Sequence, residues 1–116
     1  MARFQTVIGR DMAPFASPIH LIDVAVANNR AEPFDACILG QVNGNTVFQF
    51  VSQVAPCHER GSVLHIRNMG IYEPMLLVIT TSIHLLHHAT IRIVFRDSSG
   101  EVLGMWSELN VEWTAS

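Results

Sequence analysis

The chain has 116 residues, enough for one hydrophobic core and too few for two, so it is read as a single domain, 1–116. Hydrophobic residues make up 49% and charged residues only 15%, a balance that excludes a disordered chain and leaves few charges to cover a small domain's surface. The formal net charge is −3 and all seven basic residues are Arg, spread as Arg3, Arg10, Arg30, Arg60, Arg67, Arg92 and Arg96, so no basic stripe is visible and neither nucleic acid nor an anionic membrane is expected as a partner.

The first run rich in strand-forming residues is Phe4–Ile8. In Ile19–Ala27, Ile22, Val24 and Val26 alternate with Asp23, Ala25 and Ala27, which predicts a strand. Ser17-Pro18 before it resembles a helix cap followed by a first-turn proline, and keeps a short N-terminal helix as the rival reading. Phe34–Val42 and Thr46–Val54 flank Asn43-Gly44-Asn45. Asn and Gly both tolerate positive φ, so the two runs are predicted to pair as a hairpin. The second arm is apolar on both faces, which suits a central strand. In Ser62–Arg67, Leu64 and Ile66 are expected to face inward, with His65 and Arg67 outward. Met75–Thr81 is apolar throughout and predicts burial on both faces. Ile83–Ala89 is a loop or a single helical turn. Thr90–Arg96 points Ile91, Ile93 and Phe95 inward. Asp97-Ser98-Ser99-Gly100 is a turn. The last run is Glu101–Trp113, with Gly104 marking a bulge.

Seven to eight short strands at even spacing predict an all-β fold. It is expected to be an antiparallel sandwich, immunoglobulin-like in architecture alone, or a flattened barrel. The alternative is an α+β fold with the short N-terminal helix.

Four constellations bear on chemistry. His84, His87 and His88 lie within five residues, and His84 and His88 share a face on either a helix or a strand, as paired metal ligands do. No second ligand pair accompanies them, so no metal and no cofactor is expected, and the three form the metal alternative. Cys57-His58-Glu59-Arg60 reads as a polar loop, because neighbours on an extended chain point apart and make no thiolate–base dyad. Asp23, in an apolar strand, is the carboxylate expected to be partly buried; it reads first as satisfied by backbone amides, by an Arg or by solvent at a sheet edge, with a raised pKa and acid–base chemistry as the functional alternative, and His65 is its candidate companion at a ligand site. Trp106 and Trp113, placed seven apart on one strand, fall on opposite faces, one in the core and one at a surface.

Cys37 and Cys57 are too few for a disulfide framework, and Cys37, inside an apolar run, reads as a buried free thiol. The opening residues carry no apolar leader, and no apolar run approaches the ~18–20 residues of a membrane span, so a cytoplasmic location is expected. Low charge and strands apolar on both faces predict a non-enzymatic binding module that self-associates, with the last strand and Trp106 or Trp113 at the interface. A barrel binding a small molecule or a metal through the His84/His87/His88 region is the alternative.

Overall fold

Alternation of β-branched and aromatic residues with small or polar ones builds nine strands among the described residues. They are β1 (Ala2–Ile8), β2 (Leu21–Asn28), β3 (Phe34–Val42), β4 (Asn45–Val54), β5 (Val63–Gly70), β6 (Met75–Thr81), β7 (Ala89–Arg96), β8 (Val102–Ser107) and β9 (Glu112–Ala115). The computed structural model describes residues 1–9, 15, 17–71, 74–83 and 88–108, and the backbone of Glu112–Ala115. No helix occurs among them, and the segment with the rival helical reading, after Ser17-Pro18, is strand β2. Its β-branched residues at every second position bury Ile22, Val24 and Val26 together on one sheet face, which a helical period would have scattered.

The strands form two antiparallel sheets, ordered β4-β3-β6-β1-β9 and β5-β2-β7-β8, with no strand shared between them. The fold is therefore an open two-layer sandwich. Its two sheets lie face to face over one core, as expected of an antiparallel sandwich. Only β3–β4 and β7–β8 pair with their sequence neighbour within one sheet; every other connection crosses from layer to layer.

The hairpin predicted at Asn43-Gly44 is present, with Val42 paired to Asn45 and both turn residues at positive φ, 53° and 80°. The Asp97–Gly100 turn is held by Asp97 Oδ1, which accepts from Ser99 N at 2.9 Å and Glu101 N at 3.0 Å.

Inward side chains of both layers form one core of Phe4, Ile22, Val24, Ile38, Leu77, Ile79, Ile91, Ile93 and Phe95 among others. As expected for a strand buried on both faces, β6 lies in the middle of the five-stranded sheet. Its outward Val78 is also buried, flanked in register by Gln5 and Leu39.

Two expectations are corrected. β4 is not a central strand but the edge of its sheet, so its apolar side chains meet solvent rather than a neighbouring strand. The run Glu101–Trp113 is not one strand: it divides into β8 in the four-stranded sheet and β9 in the five-stranded sheet. Apolar patterning reports that a segment is extended and half-buried, and is silent on which layer it joins.

The bulge expected near Gly104 is present. Phe95 and Arg96 pair with Gly104 and Val102, leaving Leu103 as the extra residue. Gly104 is also a point of close approach: a Cβ there would fall on the Phe15 ring, which itself packs against Phe95 with centroids 5.2 Å apart. Gly104→Ala is expected to cost about 1–3 kcal/mol through overpacking. Urea unfolding checks this, and an unchanged midpoint would show that the Phe15 ring yields freely.

Candidate functional site

The candidate site residues begin on β2. Asp23 follows Ile22 and precedes Val24, both in the core, so strand alternation turns its carboxylate to the outer face of the four-stranded sheet. It is nonetheless only 5% exposed. On one side β5 bulges: Ile22 pairs with Met69 and Val24 with Ile66, so Arg67 and Asn68 together oppose Asp23. Asn68 sits at φ 55°, and its N–H donates to Asp23 Oδ1 at 2.8 Å. On the other side Arg96 of β7 donates from Nε to Asp23 Oδ2 at 2.9 Å, with Nη2 2.9 Å from the same oxygen, and from Nη1 to the Gly100 carbonyl at 3.0 Å.

These partners decide the carboxylate's behaviour. Burial alone pushes the Asp23 pKa up. The Asn68 N–H, the hydrogen bond and charge of Arg96 and the nearby His65 together outweigh it, and the carboxyl lies below its ordinary value. Asp23 is thus the carboxylate satisfied by a backbone amide and an arginine, not the general acid of raised pKa. Asp23 is an ionised carboxylate whose hydrogen bonds anchor a bulge and an arginine.

His65 joins the same surface. It pairs with Ala25 across β5–β2, and Ala25 pairs with Arg92 across β2–β7. Two strand spacings separate His65 from Arg92, about 10 Å, with only the Ala25 methyl between. Arg67 Nε donates to His65 Nδ1 at 3.3 Å. The outcome is an open groove of about 580 Å³ running over Ala25, walled by His65 and Arg67 on one side and by Arg92, Val94 and Arg96 on the other. Asp23 and His65, the two candidates expected at a ligand site, both line this groove.

The arginines were not legible in this role. Arg67, Arg92 and Arg96 are scattered in sequence, yet all three line the groove that Asp23 also lines. The absence of a basic cluster is true of the chain and untrue of the fold. The available signal was that Arg67 of β5 and Arg92 and Arg96 of β7 all sit at outward positions. It becomes informative only once β5 and β7 are known to flank β2.

The other candidates go elsewhere. His88 is buried in the core, its Nε2 2.6 Å from Thr81 Oγ1, with its ring between Phe34 (centroids 5.3 Å) and Phe4 (6.1 Å). It is a packed core histidine and not an open ligand. His84 and His87 lie outside the described residues. Among the described residues no three His, Cys, Asp or Glu side chains converge as metal ligands do.

Trp106 is half-buried on β8 and packs edge-on against Phe95, centroids 5.0 Å apart. Trp113 is on β9 in the opposite sheet, not the far face of the same strand, and its side chain lies outside the described residues. Cys37 is half-buried rather than buried, because it faces outward on β3, where Gln49 Nε2 approaches its sulfur at 3.7 Å. Cys57 sits in the loop between β4 and β5 and is likewise a free, half-buried thiol.

A second surface stands out at the edge of the five-stranded sheet. β4 carries no charged residue and no proline, and exposes Val47 (43%), Phe50 (39%) and Val51 (68%). Among the described residues no helix is long and apolar enough to cross a membrane. Against protein-family models, curated proteins and solved structures, the chain has no significant match.

Proposed function

We propose that this chain is a non-enzymatic interaction module that forms a homodimer by pairing β4 with β4 of a second copy. The observation that carries this reading is the undefended β4 edge. Edge strands are usually blunted by charge, proline, shortness or a bulge, because their free N–H and C=O groups otherwise template a neighbouring strand. β4 is ten residues long, uncharged and free of proline, and from Phe48 to Val54 it runs without a bulge against Gly40 to Phe34. β4 has one bulge, at Val47 beside the hairpin turn, whereas the edges of the other sheet are guarded further: β5 bears Arg67 besides its bulge, and β8 has only six residues besides its own. Two-fold pairing would satisfy the β4 backbone of both copies and cover Val51 with its symmetry mate. The interface thereby moves from the last strand to β4, since Trp106 already packs on Phe95. A cytoplasmic setting belongs to the same proposal and suits two free thiols, Cys37 and Cys57.

Light scattering after size exclusion tests it. The wild type is expected to approach twice the 12.9 kDa chain mass at micromolar concentration. Val51→Lys, a substitution at an exposed outer-face position, is expected to return it to the single-chain mass with the fold intact, because the charges of two copies would meet across the two-fold. A wild type of single-chain mass across the whole range, or a Val51→Lys dimer, would defeat the proposal.

A further inference from the structure

The groove on the four-stranded sheet lies on the opposite layer from β4, so its chemistry is independent of whether two copies pair there. We propose that it is a binding site for a small oxyanion, a molecule presenting a phosphate or a carboxylate group.

The charges of the groove are unequal in their commitments. Arg96 is held by Asp23 and by the Gly100 carbonyl. The Arg92 side chain has no hydrogen-bond or ion-pair partner among the described residues, although its strand position projects it into the groove wall. Arg67 uses Nε on His65, which leaves its two terminal nitrogens unassigned. Accepting at Nδ1 places the proton of a neutral His65 on Nε2, a further donor. Two guanidiniums and an imidazole N–H thus border one trough, and Asp23, the only carboxylate lining it among the described residues, is already paired with Arg96. Guanidinium forks match the spacing of paired oxygens on carboxylate and phosphate, and such bonds are stronger than neutral ones.

The groove is also built rather than incidental. A β-bulge with Asn68 in the left-handed region sets Arg67 on its wall, and a buried carboxylate anchors that bulge. Ala25 keeps the floor low between two long side chains, where a larger residue would fill the space. A volume of about 580 Å³ is that of a small-molecule site. The chain as a whole is acidic, at −3, and the groove gathers three of its seven arginines in one place rather than along a track. That gathering favours a small anion over a polyanion, which needs a basic track.

The test is an amide-resolved NMR titration of the whole chain at low ionic strength, with inorganic phosphate in one arm and succinate in the other. Saturable shifts are expected at Ala25, His65 to Asn68 and Arg92 to Val94, and the stronger arm identifies a tetrahedral or a planar group as the preferred one. Arg92→Gln is expected to weaken binding about tenfold or more. Ala25→Leu, an outer-face change that leaves the core untouched, is expected to abolish it. Arg3→Gln, on the other sheet, should change nothing. Should Arg92→Gln lose the dispersed wild-type spectrum, Arg67→Gln replaces it with the same expected weakening. Absence of saturable shifts with both anions overturns the site. So does equal binding by the wild type and a folded arginine variant.

Discussion

Phe95→Ala is expected to destabilise the chain by about 3–5 kcal/mol, the range for emptying a buried aromatic site. Phe95 is fully buried on β7 in the central pair of the four-stranded sheet. Phe15 lies against it at 5.2 Å and Trp106 meets it edge-on at 5.0 Å, so truncation removes one ring and leaves two others facing a void. Gly104 pairs with Phe95 across β7–β8 and has no side chain to refill the space. A drop in melting temperature of roughly 10–20 °C should follow for a domain of this size. Phe95→Leu, which keeps most of the volume, should cost about 1–2 kcal/mol. Thermal and urea unfolding of the three proteins decides the point. Equal losses for Ala and Leu would mean that the ring contacts, not the filled volume, are what matters.

Asp23→Asn should lower stability near neutral pH by about 1–3 kcal/mol, by taking the charge from a nearly buried carboxylate paired with a less buried arginine. Asn keeps the shape and can still accept from the Asn68 N–H, so the fold is expected to persist. The pH dependence is more telling than the size. The Asp23 pKa is depressed in the folded chain. Its contribution is therefore fully present above the unfolded value of about 3.9 and is lost as pH falls through the folded value. Wild type should lose stability in that acid window, and Asp23→Asn should lose less over the same range. Asp97 is also lowered, by the hydrogen bond of the Ser99 side chain and the backbone bonds of Glu101, Ser99 and Gly100, which together outweigh desolvation, so the acid limb should shrink without vanishing. Urea midpoints from pH 7 to pH 3 check this. Parallel acid limbs in the two proteins would show that Asp23 carries no folding-linked proton.

Asp23 illustrates where reading a chain stops. Its burial in an apolar strand was legible from its neighbours Ile22 and Val24. The direction of its pKa was not, because the groups that reverse it come from positions 68 and 96, on two other strands. The same limit applies to Arg67 and Arg92, which are unrelated in sequence and share a groove solely because β5 and β7 both flank β2. It applies to β4, whose two apolar faces read as central. Apolar residues on both faces suit a strand flanked by others, and equally suit an edge intended for a partner.

What the chain determined by itself is local. Alternation of Val, Ile and Phe made the strands and chose which side of each is buried; Ile91, Ile93 and Phe95 face inward as their period of two requires. Asn43-Gly44 and Asp97–Gly100 determined two turns, since positive φ and side-chain capping are properties of those residues alone. Tertiary structure decided the rest: the layer each strand joins, the division of Glu101–Trp113 between two sheets, the placing of His88 in the core, and the gathering of three arginines in one groove. The physical reason is that backbone pairing and apolar burial are nearly indifferent to which strand is the neighbour. The choice is made by the fit of the whole core, and no short segment encodes it.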